Sequence, residues 1–324
     1  MTNDLAILTL LHDDLLRVEQ KIRNIGSEAY GPLAEAFLNL LGSGGKRLRP
    51  ALALAAHRLF ADRSSDKAIA VAAAVETLHN ATLVHDDLID GALIRRGSIT
   101  LNAIWSKGAT VLAGDYLFAR SAGFAAETEN VRVVQLFAET LRIICDGELR
   151  QLFSSRQWQQ PKENYYSRIF AKTASLFAAA SRSGAILGDA PAGQEQALYD
   201  YGYHLGMAFQ IVDDILDYTG DERLLGKPVG GDLRQGIVTL PFFYFLQSRA
   251  DPAAIIAMLE AGNKEGAGIA EVVTMIRASG AIQQAGQEAR SFAAQAQADL
   301  STLPPGVYRQ ALHDLAEFVV ARHT

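Results

Sequence analysis

The chain has 324 residues, 49% hydrophobic and 20% charged, with a net charge of −6. That apolar content excludes a disordered chain, and the acidic balance argues against a general nucleic-acid binder. The lone Cys145 cannot close an internal disulfide. The N-terminus lacks the basic start of a signal peptide, and no charge-free apolar run reaches the roughly 18 residues that span a membrane. A cytoplasmic protein without a transmembrane segment is expected.

Leu5, Leu8, Leu11, Leu15, Val18, Ile22 and Ile25 recur every three or four residues, which predicts a helix over 5–25 stopped by Gly26. The same periodicity predicts helices over 30–41, 49–61, 66–90, 108–127, 130–156, 161–187, 193–219, 238–249, 265–279, 281–301 and 305–322. No proline falls between Ala51 and Gln160, as long helices require. No two-residue alternation flanked by hairpin signals is evident. The expectation is one all-α domain over 1–324, with two glycine-rich loops at 42–50 and 220–236.

Two predicted helices end in the same acidic pattern, DDxxD: Asp86, Asp87 and Asp90 in the first, Asp213, Asp214 and Asp217 in the second. At about 100° per residue, the three carboxylates of each motif fall within one arc. They repel one another, and negative charge at a helix C-terminus also opposes the dipole. A cation relieves both, and oxygen-only ligands suit Mg²⁺, with Mn²⁺ as a substitute. The bland reading is two solvated helix ends, but the repetition argues against it. A di-iron bundle would need paired Glu-x-x-His motifs, and only Glu76–His79 matches.

Basic segments flank the acidic ones. Before the first comes the Gly44–Pro50 loop with Lys46 and Arg49, and after it Arg95 and Arg96. Lys172 and Thr173 open a further helical stretch, and Lys227 follows the second motif. Carboxylates interleaved with cations fit a metal-bridged diphosphate. Each basic residue alone could equally be a solvated surface charge.

The ordered set GGKRLRP, LHNATLVHDDLID, RRG, KTASLF, FQIVDDILD and GKPVGGDLRQGIVTLP resembles the trans-isoprenyl diphosphate synthases, or polyprenyl synthetases, over almost the whole chain. The resemblance implies an all-α barrel of long helices around a deep central cavity, the isoprenoid synthase fold, usually as a homodimer. It implies elongation of an allylic diphosphate (dimethylallyl, geranyl or farnesyl) by isopentenyl diphosphate, with Mg²⁺. Carried over residue by residue, Asp86, Asp87, Asp90, Asp213 and Asp217 would bind metal, with Asp214 beside them. Arg95, Lys172, Thr173, Gln210 and Lys227 would meet the allylic diphosphate. Lys46, Arg49, His79 and Arg96 would hold isopentenyl diphosphate. Some relatives carry a further lysine where this chain has Ile237.

The small Ala81 and Thr82 lie at the fifth and fourth positions before Asp86, where short-chain relatives carry bulky aromatics. They imply a product longer than C20, unless Phe118 or Phe124 of a neighbouring helix closes the pocket. The alternatives are a short-chain synthase, a class I terpene cyclase and a non-catalytic partner subunit.

Overall fold

The structure, a computed structural model, describes residues 5–25, 30–42, 45–95, 97–220, 229–261 and 267–322. In chain order the elements are α1 (Ala6–Leu10), α2 (His12–Arg23), α3 (Gly31–Gly42), α4 (Leu48–Arg58), α5 (Asp66–Ile89), β1 (Ile94–Arg95), β2 (Ser98–Ile99), α6 (Leu101–Ile104), α7 (Lys107–Ala126) and α8 (Val131–Ser154). After α9 (Lys162–Ile169) comes a five-residue π-helical segment, Phe170–Ala174, and then α10 (Ser175–Leu187) and α11 (Ala192–Thr219). The remainder is α12 (Gly231–Gln235), α13 (Leu240–Gln247), α14 (Pro252–Ala261), α15 (Ala267–Arg277), α16 (Ala281–Asp299), a 3₁₀ turn and α17 (Val307–Ala321). The chain is all-α, as its periodicity predicts, and no described helix is long and apolar enough to cross a membrane.

Several boundaries follow from local chemistry. The helix predicted over 5–25 breaks at Leu11 into α1 and α2. Leu11 is wholly buried, Asp13 and Asp14 favour a new first turn, and Ser64 donates to Asp14 at 2.6 Å. The Ser65 hydroxyl caps α5, accepting from the Ala68 N–H at 3.1 Å. The β1–β2 ladder, α6, α12 and α14 lie outside the predicted helices. The β1–β2 ladder pairs Ile94 with Ile99 and Arg95 with Ser98 about Gly97, whose φ of 78° makes the turn. Helix α14 starts at Pro252, after Asp251 accepts from the Ala254 N–H at 3.2 Å. The short α12 is too brief for periodicity to reveal.

The residues group into two compact units. The first comprises Met1–Leu141, Leu176–Gly202 and Asp299–Leu315; the second comprises Arg142–Ser175, Tyr203–Ala298 and Ala316–Thr324. In the first unit α5 and α7 run antiparallel: Lys67 reaches Glu129 at 2.8 Å at one end, and the His85 ring meets the Val111 carbonyl at 3.1 Å near the other. Helix α10 presses against α4 where Gly184 leaves no room for a side chain, since a Cβ there would lie 2.1 Å from the Ala53 carbonyl oxygen. Tyr201 is also buried in this unit, donating to the Leu312 carbonyl at 2.6 Å.

The second unit has one core around Tyr218, Phe242, Phe245, Val272 and Ile276, and another around Tyr165, Met207, Ile211 and Leu240. Each such side chain contributes about 1.5–3 kcal/mol on burial.

Gly184→Ala is expected to lower stability by about 1–3 kcal/mol, because backbone rather than a flexible side chain must move. Gly193→Ala, with nothing within 4 Å of the added Cβ, is the neutral or stabilising control. Urea melts of both variants check this; equal midpoints would show that α4 and α10 are not in close contact.

Candidate active site

Helix α5 carries the first acidic motif at its C-terminal end. Its apolar residues are buried almost all round, so the carboxylates appear only where the helix stops. Asp86 is half-buried and Asp90 exposed, while Asp87 is buried and accepts from Arg95 Nε at 2.7 Å. Burial holds the Asp87 carboxyl above the usual aspartate range, although Arg95 pulls the other way. The β1–β2 turn places Arg95, and Thr100 fastens that turn by donating to the Ala92 carbonyl at 2.7 Å. A groove of about 580 Å³ lined by Leu38, Val84, Ile99 and Ile104 runs beside this Asp87–Arg95 pair.

The basic loop before α4 divides its labour. Arg47, at a left-handed φ of 49°, pairs with Glu76 at 2.6 Å and Glu19 at 3.3 Å. Glu76 is thereby committed to an ion pair, which removes the di-iron reading of Glu76–His79. Lys46 is exposed; Arg49 is half-buried and lies over the Phe177 ring at 4.7 Å. His79 is half-buried one turn from Glu76, on the same helix as Asp86. Ala81 is fully buried, and Thr82 donates to the His79 carbonyl at 2.8 Å. Phe118 packs edge-on against His85 with ring centroids 5.2 Å apart, and Phe124 is buried with Lys21 over its ring. Arg96 and Lys227 lie outside the described residues.

In the second unit, α11 ends in the second motif, and each aspartate has a different environment. Asp213 is 40% exposed and pairs with Arg322 at 3.0 Å. Asp214 is buried, accepting from Tyr165 and from Gln210 Nε2, both at 2.8 Å. Gln210 in turn accepts from the Thr173 hydroxyl at 2.5 Å. Asp217 caps α12, its two oxygens accepting from the Gly231 and Asp232 N–H groups at 3.1 Å each. Burial pushes Asp214 up to about 6 against the lowering influence of Arg168 and its own hydrogen bonds. Asp232 rises to about 8, through burial first and then the neighbouring Asp217 and Asp214 carboxylates. Lys172 pairs with Glu148 at 2.8 Å.

The helix predicted over 161–187 thus contains the π-helical segment, which carries Lys172 and Thr173. Ile237, at the position of the additional lysine of some relatives, donates its N–H to the Asp232 carbonyl at 2.9 Å. The motifs did not disclose Tyr165, Glu148, Asp232 or Arg322. Asp232 was visible within GKPVGGDLRQG, but nothing in the string marks it as close to Asp214 and Asp217.

These donors fit a hard divalent cation. All are carboxylate oxygens, and each carboxylate has about four lone-pair sites, so those already bonded can still accept. Residues 31–276 match the family described as Polyprenyl synthetase. The heptaprenyl diphosphate synthase component 2 of Geobacillus stearothermophilus is 42% identical over 98% of both chains. The crystal structure of heptaprenyl diphosphate synthase from Staphylococcus aureus superposes with a TM-score of 0.92 at 33% identity, covering 97% of this chain and 99% of that one. A polyprenyl synthase from Caulobacter crescentus, complexed with calcium and isoprenyl diphosphate, has a TM-score of 0.91 at 36% identity over 98% of each chain. The fold is that of the isoprenoid synthases. The chain belongs to the polyprenyl synthetase family and is a prenyltransferase.

The raised carboxyls make the metal-free protein sensitive to pH. In the folded chain Asp214 and Asp232 keep protons that the unfolded chain has lost above about 3.8. Stability therefore falls as pH rises from about 4 to about 8 and levels off beyond. Asp232→Asn is expected to flatten that decline, and thermal melts across the range without divalent metal read it. An unchanged slope would place Asp232 outside the charge cluster.

Proposed function

We propose that the protein is a trans-prenyltransferase that extends an allylic diphosphate with isopentenyl units to a product longer than C20, roughly C30 to C50, using Mg²⁺ or Mn²⁺. The observation that carries the reading is the braced carboxylate cluster at the end of α11, with Asp214 held by Tyr165 and Gln210, and Gln210 by Thr173. Such a cluster maintains charge in a partly desolvated place, which a solvated helix end would not need.

Asp86, Asp87 and Asp90 of the first unit would hold metal, as would Asp213 and Asp217 of the second, with Asp214 orienting its neighbours. Bound metal would offset the charge that builds on the diphosphate as the allylic carbon–oxygen bond breaks. Arg95, Lys172, Thr173 and Gln210 are assigned to the allylic diphosphate, together with Lys227. Lys46, Arg49 and His79 are assigned to isopentenyl diphosphate, together with Arg96. The isopentenyl alkene attacks C1 of the allylic cation, and the proton then lost passes to the released diphosphate. Apolar walls keep water from quenching the cation.

The small Ala81 and Thr82 support the longer product. One turn of about 5.4 Å separates Thr82 from Asp86, close to one isoprene unit. The names of the relatives from Geobacillus and Staphylococcus, both heptaprenyl diphosphate synthases, agree. A homodimer in the cytoplasm completes the reading. Exposed Ile94, Ile99, Ile104 and Leu112 of the first unit, each at least 60% accessible, are apolar surface suited to a second copy. The words "component 2" in the Geobacillus name favour a different subunit as the alternative partner, and light scattering on the purified chain distinguishes the two.

Incubation with Mg²⁺, farnesyl diphosphate and radiolabelled isopentenyl diphosphate tests the reaction. Longer prenyl diphosphates support it. Hydrocarbons formed without isopentenyl diphosphate would indicate a cyclase, and no turnover a partner subunit. Asp86→Ala and Asp213→Ala are each expected to lower turnover by roughly 10³-fold while helicity holds. Lost helicity would make these aspartates structural. Ala81→Phe is expected to shorten the product to C15 or C20, read by chromatography of the dephosphorylated chains. A wild-type enzyme that stops there would overturn the length assignment.

A further inference from the structure

Gln210 can meet a diphosphate only with the correct end of its amide, and the structure fixes which end that is. The Thr173 hydroxyl donates to Oε1 at 2.5 Å, so the carbonyl end faces Thr173. One N–H of Nε2 is given to Asp214 Oδ1 at 2.8 Å. The amide nitrogen has two hydrogens, and the second is the donor that this arrangement offers a phosphate oxygen. The assignment stands only while Asp214 presents an acceptor at that spot. A carboxylate turns readily about its last torsion, which has broad wells. The Tyr165 hydroxyl, donating to Asp214 Oδ2 at 2.8 Å, stops that turning.

Tyr165 is 2% exposed and Asp214 3% exposed, so bulk water is a poor substitute for the phenol. Arg168 lies over the Tyr165 ring at 5.3 Å and donates to the Val238 carbonyl at 2.6 Å, which keeps the ring and the chain after α12 in register.

We infer that Tyr165 is a positioning residue for the allylic diphosphate, acting through Asp214 to hold the Gln210 amide with its free hydrogen toward substrate. This rests on the assignment of Gln210 to the allylic diphosphate under the proposed function. Tyr165 itself touches no substrate in this account. Its hydroxyl determines how well Gln210 does.

The test is steady-state kinetics on the full chain, with both substrates varied, for Tyr165→Phe, Gln210→Ala and the double variant. Thermal melts accompany each, so that lost fold is not read as lost positioning. Tyr165→Phe is expected to raise KM for the allylic substrate roughly tenfold, the loss of one hydrogen bond to a charged group, with KM for isopentenyl diphosphate unchanged. In the Gln210→Ala background the same change is expected to have no further effect. If Gln210→Ala raises the allylic KM but Tyr165→Phe does not, or if the two effects add in full, the positioning role is wrong and the allylic assignment survives. If Gln210→Ala leaves the allylic KM alone, the assignment itself fails and the role of Tyr165 with it. Should Tyr165→Phe not fold, Asp214→Asn is the second variant. Tyr165 and Gln210 donate to different oxygens of Asp214, and Asn keeps an oxygen at only one of the two positions, so the same rise, abolished beside Gln210→Ala, is expected; additive effects there overturn the inference.

Discussion

Carboxylates gathered at the ends of apolar helices repel one another, and each of the two units has its own means of holding them. In the first unit the middle aspartate, Asp87, is withdrawn from solvent and given to Arg95, which a two-residue ladder fixes in place. In the second the middle aspartate, Asp214, receives a phenol and an amide, and the last, Asp217, receives two backbone N–H groups. Neutral donors dominate there, so the charge is oriented rather than cancelled. Burial without full compensation is why Asp214 and Asp232 hold their protons to unusually high pH.

Much of the surrounding architecture supports these ends. The π-helical segment adds a residue to the turn between α9 and α10, and both Lys172 and Thr173 lie in it. Gly147 lets α8 approach that segment, for a Cβ there would meet the Ala171 methyl at 2.3 Å. Lys172 then reaches Glu148 on α8, and Thr173 reaches Gln210 on α11. A glycine, an irregular turn and two polar pairs thus bring three helices of one unit to a common purpose.

Not every basic residue of the Gly44–Pro50 loop is left for a ligand. Arg47 stands between Lys46 and Arg49 yet binds Glu76 and Glu19, tying the basic loop to α5 and α2. Of the Glu76–His79 pair, a metal-ligand spacing by sequence, Glu76 is engaged by Arg47. Spacing along a helix says which residues share a face; what lies opposite that face is a matter of packing.

The sequence by itself determined the helical class, most helix boundaries, the reaction family and the positions of both aspartate triplets, because periodicity and motif strings are local properties. Small elements escaped it: α12 and the β1–β2 ladder are shorter than the window over which a period can be read, and Pro252 begins a helix. Only the tertiary structure assigned different tasks to chemically identical aspartates. Asp213, Asp214 and Asp217 read alike in the chain, but Arg322, Tyr165 and the α12 N-terminus approach them from segments 14 to 109 residues away. Burial and hydrogen-bond partners are set by those distant segments, so no local pattern encodes which carboxylate is braced and which stays partly exposed.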